Sequence, residues 1–388
     1  MLTKIEFKNF MSLKQATIKL LPLTVFIGAN SSGKSAIFKG LITLSRLLRG
    51  TALRDQRGEF ELEGGVPLDD IVWKGDTGLP IIFRAWFDDN DDDSNPDYML
   101  ELRRRAEGWG VTEERIRAGN GGEILVDEFH DFIHPTESRR DERHRTPLRG
   151  TLRNAVRPFV RDSAARPAIE PILGLSDRFG ETRRYRPSAN DIAATVRPPQ
   201  LGGWTGVSDN GRGLALAIRD IKSSNPTVGT AIEDGVHSIF PHIERIHVKS
   251  GYRGLRLDFE TNRSQSRVAA SQESDGALLA TFLLWRLHTA YPSVRVCLEE
   301  PENGLHPELT RGRYDLLKSF AYDSERPVQI LVSTHSPELL RVMHSHHSTL
   351  LSEARLVKFE PRSGTQVREL TDYREAGQLI ERYLAGNL

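Results

Sequence analysis

Residues 28–35 read Gly-Ala-Asn-Ser-Ser-Gly-Lys-Ser, a complete match to the pattern G-x-x-x-x-G-K-[ST]. Such a loop surrounds phosphate oxygens with backbone N–H groups; its lysine reaches the β- and γ-phosphates and its last hydroxyl ligates Mg²⁺. Gly28, Ala29, Asn30, Ser31, Ser32, Gly33, Lys34 and Ser35 are therefore candidate nucleotide-binding residues, with Lys34 also catalytic and Ser35 a metal ligand. Far along the chain, the apolar run Val294–Leu298 leads into Glu299-Glu300-Pro-Glu-Asn-Gly-Leu-His-Pro307. Paired carboxylates at a strand end suit nucleotide hydrolysis: Glu299 would take the metal side, and Glu300 would orient and activate the attacking water. Paired glutamates also decorate solvated surfaces, but the preceding strand and the Pro-Glu-Asn-Gly-Leu-His-Pro turn favour a site. A further strand, Val328–Thr334, ends in His335, which is placed either to sense the γ-phosphate or attacking water or to serve structure alone.

These groups need rigid carriers. Leu23-Thr-Val-Phe-Ile27 is a short apolar, β-branched run that predicts a buried strand, and apolar residues at helical spacing follow Ser35. Strand, glycine loop and helix are the setting the phosphate motif requires. Ser274 is a suitable N-cap for the apolar helix after it, and Asp275 suits the positive end of that helix. Leu79–Phe87 and Asp97–Arg103 predict paired strands joined by an acidic turn, Asp88–Pro96, whose ligand order does not fit an EF-hand. Glu123–Phe129 predicts a further strand of an antiparallel sheet.

Between Arg139 and Arg161 there are eight arginines against two acidic residues. Arg149, Arg153 and Arg157 recur every four residues and would share one helix face. That face suits the phosphates of DNA or RNA, an acidic partner, or a solvated helix laced with salt bridges. Arg197–Gly213, rich in glycine and proline, reads as a loop.

The whole chain has 388 residues, 38% hydrophobic and 27% charged, with formal net charge zero, so no global field draws it to nucleic acid. No apolar run reaches membrane-span length, and the first residues alternate like a strand and lack a signal-peptide core, so a cytoplasmic protein with no membrane partner is expected. One cysteine, Cys297, excludes an internal disulfide and a cysteine metal cluster; its apolar strand favours a small buried hydrophobe over a reactive thiol.

Together these segments resemble the ABC-type ATPases of the SMC, RecF and OLD group, most closely the stand-alone AAA-family ATPases related to OLD ATPase domains. The likeness spans most of the chain: Ile5–Leu13, Tyr185–Ser188, Asp209–Leu214 and Ile239–Ile243, and most strongly Ser274–Gly276, Glu299–Pro307 and Ser333–Pro337. It implies ATP and Mg²⁺ as cofactors. It also implies a signature role for Ser274, Asp275 and Gly276, which would bind the γ-phosphate held by another subunit in an ATP-sandwich homodimer or higher oligomer. Two features depart from the group's pattern. Glu299 stands where ABC proteins usually have aspartate, and no convincing Q-loop is present, Gln56 being the nearest candidate.

The expected fold is α/β: a P-loop ABC-type ATPase core with a mainly parallel sheet, an antiparallel β lobe and an inserted helical lobe. Residues 1–84 and 251–388 would form the core and 85–250 the variable lobe. The strands carrying the phosphate loop, Glu300 and His335 are expected side by side. The Gly- and Pro-interrupted stretch of about 240 residues from Ser35 to Ser274 fits no long coiled coil. Only 53 residues follow His335, too few for the metal-dependent nuclease domain of full OLD nucleases. The resemblance therefore implies the ATPase of a two-component defence system against phage or plasmid DNA, controlling a separate effector nuclease. The alternative is a RecF-like ATP-dependent clamp that itself binds DNA during repair.

Overall fold

A computed structural model describes residues 1–49, 53–54, 60–62, 66–87, 96–105, 108–117, 123–127, 179–197, 206–262, 267–291, 294–302, 307–345, 352–370 and 373–384. The arginine-rich segment 139–161, Gln56 and the acidic turn through residue 95 lie outside the described residues. The chain divides into two compact units, Met1–Thr182 with Ser352–Leu370, and Arg183–Leu351 with Thr371–Leu388.

The first unit carries a six-stranded sheet ordered Glu123–Asp127, Gly108–Arg117, Tyr98–Arg105, Ile81–Phe87, Leu2–Phe10, Leu13–Lys19, every neighbouring pair antiparallel. Period-two alternation drives it: Ile5 and Phe7 of the first strand are fully buried, and Phe7 meets Phe83 edge-on with ring centroids 5.9 Å apart. The helix Lys34–Arg49 lies close to Phe7, because an added Cβ at Gly40 would strike the Phe7 ring 2.5 Å away. Beneath that helix, the wholly buried strand Leu23–Ile27 runs parallel to Ala354–Glu360, and Ala354–Glu360 turns at Gly364 into the antiparallel strand Gly364–Glu369. Distant chain segments, with Val25 beside Ala354, thus build one phosphate-loop platform.

In the second unit, Arg295–Glu299 and Gln329–Thr334 run parallel, Glu299 opposite Ser333, and the helix Pro307–Ala321 connects them. All residues of both strands are buried, as a parallel pair covered on both faces requires. Thr182–Tyr185 flanks Arg295–Glu299. The helix Asp275–His288 is buried along almost its whole length and packs against Pro226–Ile239, which begins at an Asn225 cap with proline at its first position. Leu214–Ser224 and the antiparallel ribbon Ile243–Gly251/Gly254–Thr261 complete this helical part.

The fold class read from the sequence is therefore correct: parallel pairs, an antiparallel sheet and a helical lobe. Residues of the expected 85–250 lobe contribute to both units. The loop expected over Arg197–Gly213 lies outside the described residues from 198 to 205. From Gly206 on, its Asp209 and Asn210 carbonyls accept the backbone N–H groups of Arg186 (3.0 Å) and Ser188 (2.9 Å). No helix among the described residues is long and apolar enough to cross a membrane.

Candidate nucleotide-hydrolysis residues

The first unit presents the phosphate loop at the end of Leu23–Ile27. Ser31 at φ 62° and Gly33 at φ 106° take left-handed backbone, which curls the loop before the helix starts at Lys34. Neither glycine can be replaced freely: an added Cβ at Gly28 would enter the Val357 carbonyl, and one at Gly33 the Thr365 side chain. Lys34 is 8% exposed, and its ammonium donates to the carbonyls of Gly28 (2.6 Å) and Ala29 (2.8 Å), which holds the charge across the loop. The Ser32 hydroxyl is buried with no hydrogen-bonding partner, while Asn30, Ser31 and Ser35 are exposed. No acidic residue sits in the helix's first turn, so its positive end is left uncompensated. A curled loop, an anchored cation, an orphan hydroxyl and a helix N-terminus are what a polyphosphate requires, and the residues fit ATP.

The second unit gathers the carboxylates and the histidine. Glu300 follows its strand at φ 49°, a left-handed conformation costly for a residue with a Cβ, yet its N–H still donates to Ser333 at 2.8 Å. The turn projects its side chain sideways, where Oε1 lies 2.9 Å from Nδ1 of His335 and Oε2 lies 3.2 Å from a guanidinium nitrogen of Arg186. Glu299 is 8% exposed; its Oε1 has no hydrogen bond and lies 3.7 Å from the Arg184 guanidinium. An anionic oxygen without a hydrogen-bonding partner is suited to a cation. Ser35 and Glu299 each offer the hard oxygen ligand that Mg²⁺ takes. Glu302, three residues on, is bonded by the Thr334 hydroxyl, and burial raises its pKa above the ordinary carboxylate value. Thr334 also accepts the N–H of Ser336 at 2.8 Å, so strand end, carboxylate turn and the next helix are tied together.

Ser274 caps the helix Asp275–His288, its hydroxyl accepting the Ala277 N–H at 3.4 Å. Ser274 and Asp275 are exposed and Gly276 is buried. The structure thus joins Glu300 with His335, and Gly28 with Lys34. Sequence reasoning gave no role to Arg184, Arg186, Glu302 and Thr365. The Arg-Tyr-Arg alternation at 184–186 was a usable signal, since period two puts both arginines on one side of the strand beside the carboxylates. Thr365 carried none.

A family model described as "AAA domain, putative AbiEii toxin, Type IV TA system" matches residues 23–341. An OLD nuclease of Thermus scotoductus is 23% identical over 353 residues, covering 87% of this chain and 59% of that protein, so the chain spans less than two thirds of its relative's length. Among solved structures, the Smc head bound to the C-winged helix domain of ScpA aligns over 97% of this chain and 99% of its own at 13% identity, TM-score 0.49. The SMC head domain from Thermotoga maritima aligns over 95% and 98% at 13% identity, TM-score 0.45. The family match runs through the phosphate loop, Ser274, the carboxylate pair and His335, and the chain belongs to this AAA-domain family of ATPases.

Proposed function

We propose that the chain is an ATP-driven switch subunit in which Lys34 and the loop Gly28–Ser35 hold the triphosphate and Glu300 is the general base. The observation that carries this reading is the Glu300–His335 contact of 2.9 Å at the ends of two parallel strands. His335 keeps the Glu300 carboxylate oriented and offers a ring nitrogen to the reacting group. Mg²⁺ would supply Lewis-acid stabilisation of phosphate charge, and Ser35 and Glu299 are its candidate oxygen ligands.

Ser274, Asp275 and Gly276 act on the ATP of a second copy of the chain. Their place at the exposed N-terminus of a 14-residue helix, where Ser274 and Asp275 are both exposed, supports this. ATP binding then closes a homodimer and hydrolysis opens it, so the energy of binding drives a conformational change rather than chemistry on another substrate. The controlled partner is a separate effector, a nuclease, in defence against phage or plasmid DNA. The family description naming a toxin of a type IV TA system, and a relative named as a nuclease, support that role. Such a switch works in the cytoplasm, where ATP is abundant.

The test is complementation. Cells lacking the gene should lose resistance, wild type should restore it, and Lys34→Ala should not; full protection by Lys34→Ala removes the ATP-dependent role. Turnover of the purified chain with and without duplex DNA separates this reading from a DNA-repair clamp, for which DNA itself is the activator. Strong stimulation by DNA alone favours the clamp.

A further inference from the structure

We infer that Thr365 is a positioning residue for nucleotide binding: its hydroxyl and methyl hold the phosphate loop in its curled form and tie it to the turn at Ser12. Thr365 is fully buried on the strand Gly364–Glu369. Its Oγ1 lies 3.0 Å from the Ser32 carbonyl and 2.8 Å from Ser12 Oγ, and its backbone N–H donates to the Ser12 carbonyl at 2.7 Å. The hydroxyl has one proton. It donates that proton to the Ser32 carbonyl and accepts from the Ser12 hydroxyl, so the three groups form a directed chain.

The packing points the same way. The space where Gly33 would carry a Cβ is filled by the Thr365 side chain, and the space at Gly28 is closed by the Val357 carbonyl of the adjoining strand. One hairpin therefore backs the loop at both of its glycines. Gly364, at φ 77°, lets the hairpin turn approach closely enough, since an added Cβ there would enter the Ser12 carbonyl. The Ser12 turn is itself set by left-handed residues Asn9 (φ 57°) and Met11 (φ 50°), and the Met11 N–H bonds to the Ile71 carbonyl.

The consequence is pre-organisation. A loop holding Ser31 in left-handed backbone relaxes unless something over-determines it. Binding ATP with a relaxed loop includes the cost of re-curling, so the loss falls on affinity. The orphaned, buried Ser32 hydroxyl sits on the same residue whose carbonyl Thr365 holds.

This inference rests on the phosphate-loop assignment, and the experiment separates the two. ATP affinity, steady-state kinetics and Tm are measured for the full chain carrying Thr365→Val, Thr365→Ser, Ser12→Ala or Lys34→Ala. Thr365→Val keeps the shape and removes the hydroxyl, and it should raise the ATP Kd and KM by roughly tenfold, as expected when a buried carbonyl loses its donor, while kcat stays within about twofold. Thr365→Ser should retain affinity within about threefold, and Ser12→Ala should fall between. Wild-type affinity in folded Thr365→Val, or a fall in kcat with KM unchanged, overturns the inference. If Thr365→Val does not fold, wild-type affinity in Ser12→Ala together with weakened affinity in Thr365→Ser overturns it equally. Wild-type affinity in Lys34→Ala instead overturns the phosphate-loop assignment itself.

Discussion

Nδ1 of His335 stands 2.9 Å from Oε1 of Glu300, although 35 residues separate them in sequence. The contact exists because the strands Arg295–Glu299 and Gln329–Thr334 run parallel and in register, so both chains leave the sheet at the same edge. A left-handed turn at Glu300 and the first residue beyond Thr334 then face each other. Parallel register, not local sequence, brings a base and its orienting group together.

If Glu300 is the general base, Glu300→Gln should cut kcat for ATP hydrolysis by about 10²–10⁴-fold while leaving the ATP Kd near its wild-type value. Phosphate release and nucleotide titration measure the two quantities separately. An unchanged rate would remove Glu300 from the mechanism.

The two groups paired with this carboxylate should rank differently. Arg186 is 69% exposed at its side chain, and its 3.2 Å pair with Glu300 is screened by solvent. Arg186→Ala should therefore change turnover by no more than about fivefold, the range of an exposed ion pair. His335→Ala removes the group that orients Glu300 and should cost more than Arg186→Ala and less than Glu300→Gln. Single-turnover rates at saturating ATP give the order; an Arg186→Ala loss equal to that of Glu300→Gln would make the arginine part of the chemistry.

Glu302 provides a pH signature. Burial raises its pKa from 4.5, a shift opposed by the Thr334 hydrogen bond, so the folded protein favours the neutral acid. A raised pKa means the stabilising contribution is complete below the unfolded value and is lost as pH climbs through the folded one. Glu302→Gln keeps an oxygen for the Thr334 hydroxyl and does not titrate. Its Tm should equal or fall below wild type near pH 4.5 and gain on wild type as pH rises. A Tm difference that is flat from pH 4.5 to 9 would contradict the upward shift of the Glu302 pKa.

The parts of the site that were legible in sequence are those made by contiguous residues. The loop Gly28–Ser35, its strand and helix, the Ser274 cap and the carboxylate strand each carry their signal within about fifteen residues. The hairpin of Ile81–Phe87 with Tyr98–Arg105 was legible for the same reason. Gly108–Arg117 was not recognised as a strand, because Glu113, Glu114 and Arg115 interrupt its apolar alternation. Glu114 is fully buried there and accepts the Tyr98 hydroxyl at 2.7 Å, a tertiary contact no local pattern encodes. The Thr365–Ser32 contact spans 333 residues and was invisible to any window.

Cys297 offers an internal probe of how firmly the carboxylate strand is held. It is the chain's single cysteine, fully buried in Arg295–Glu299, and burial pushes its thiol pKa up to about 12. At pH 8 the thiolate fraction is then on the order of one in 10⁴, and the sulfur is shielded from reagent as well. Labelling by a soluble disulfide reagent should occur only through opening of the strand pair. Its rate should rise with urea in step with the unfolding transition seen by circular dichroism, at the same slope. Complete labelling within minutes in native buffer would mean that the strand presenting Glu299 and Glu300 opens locally, and the geometry of the base would then be transient.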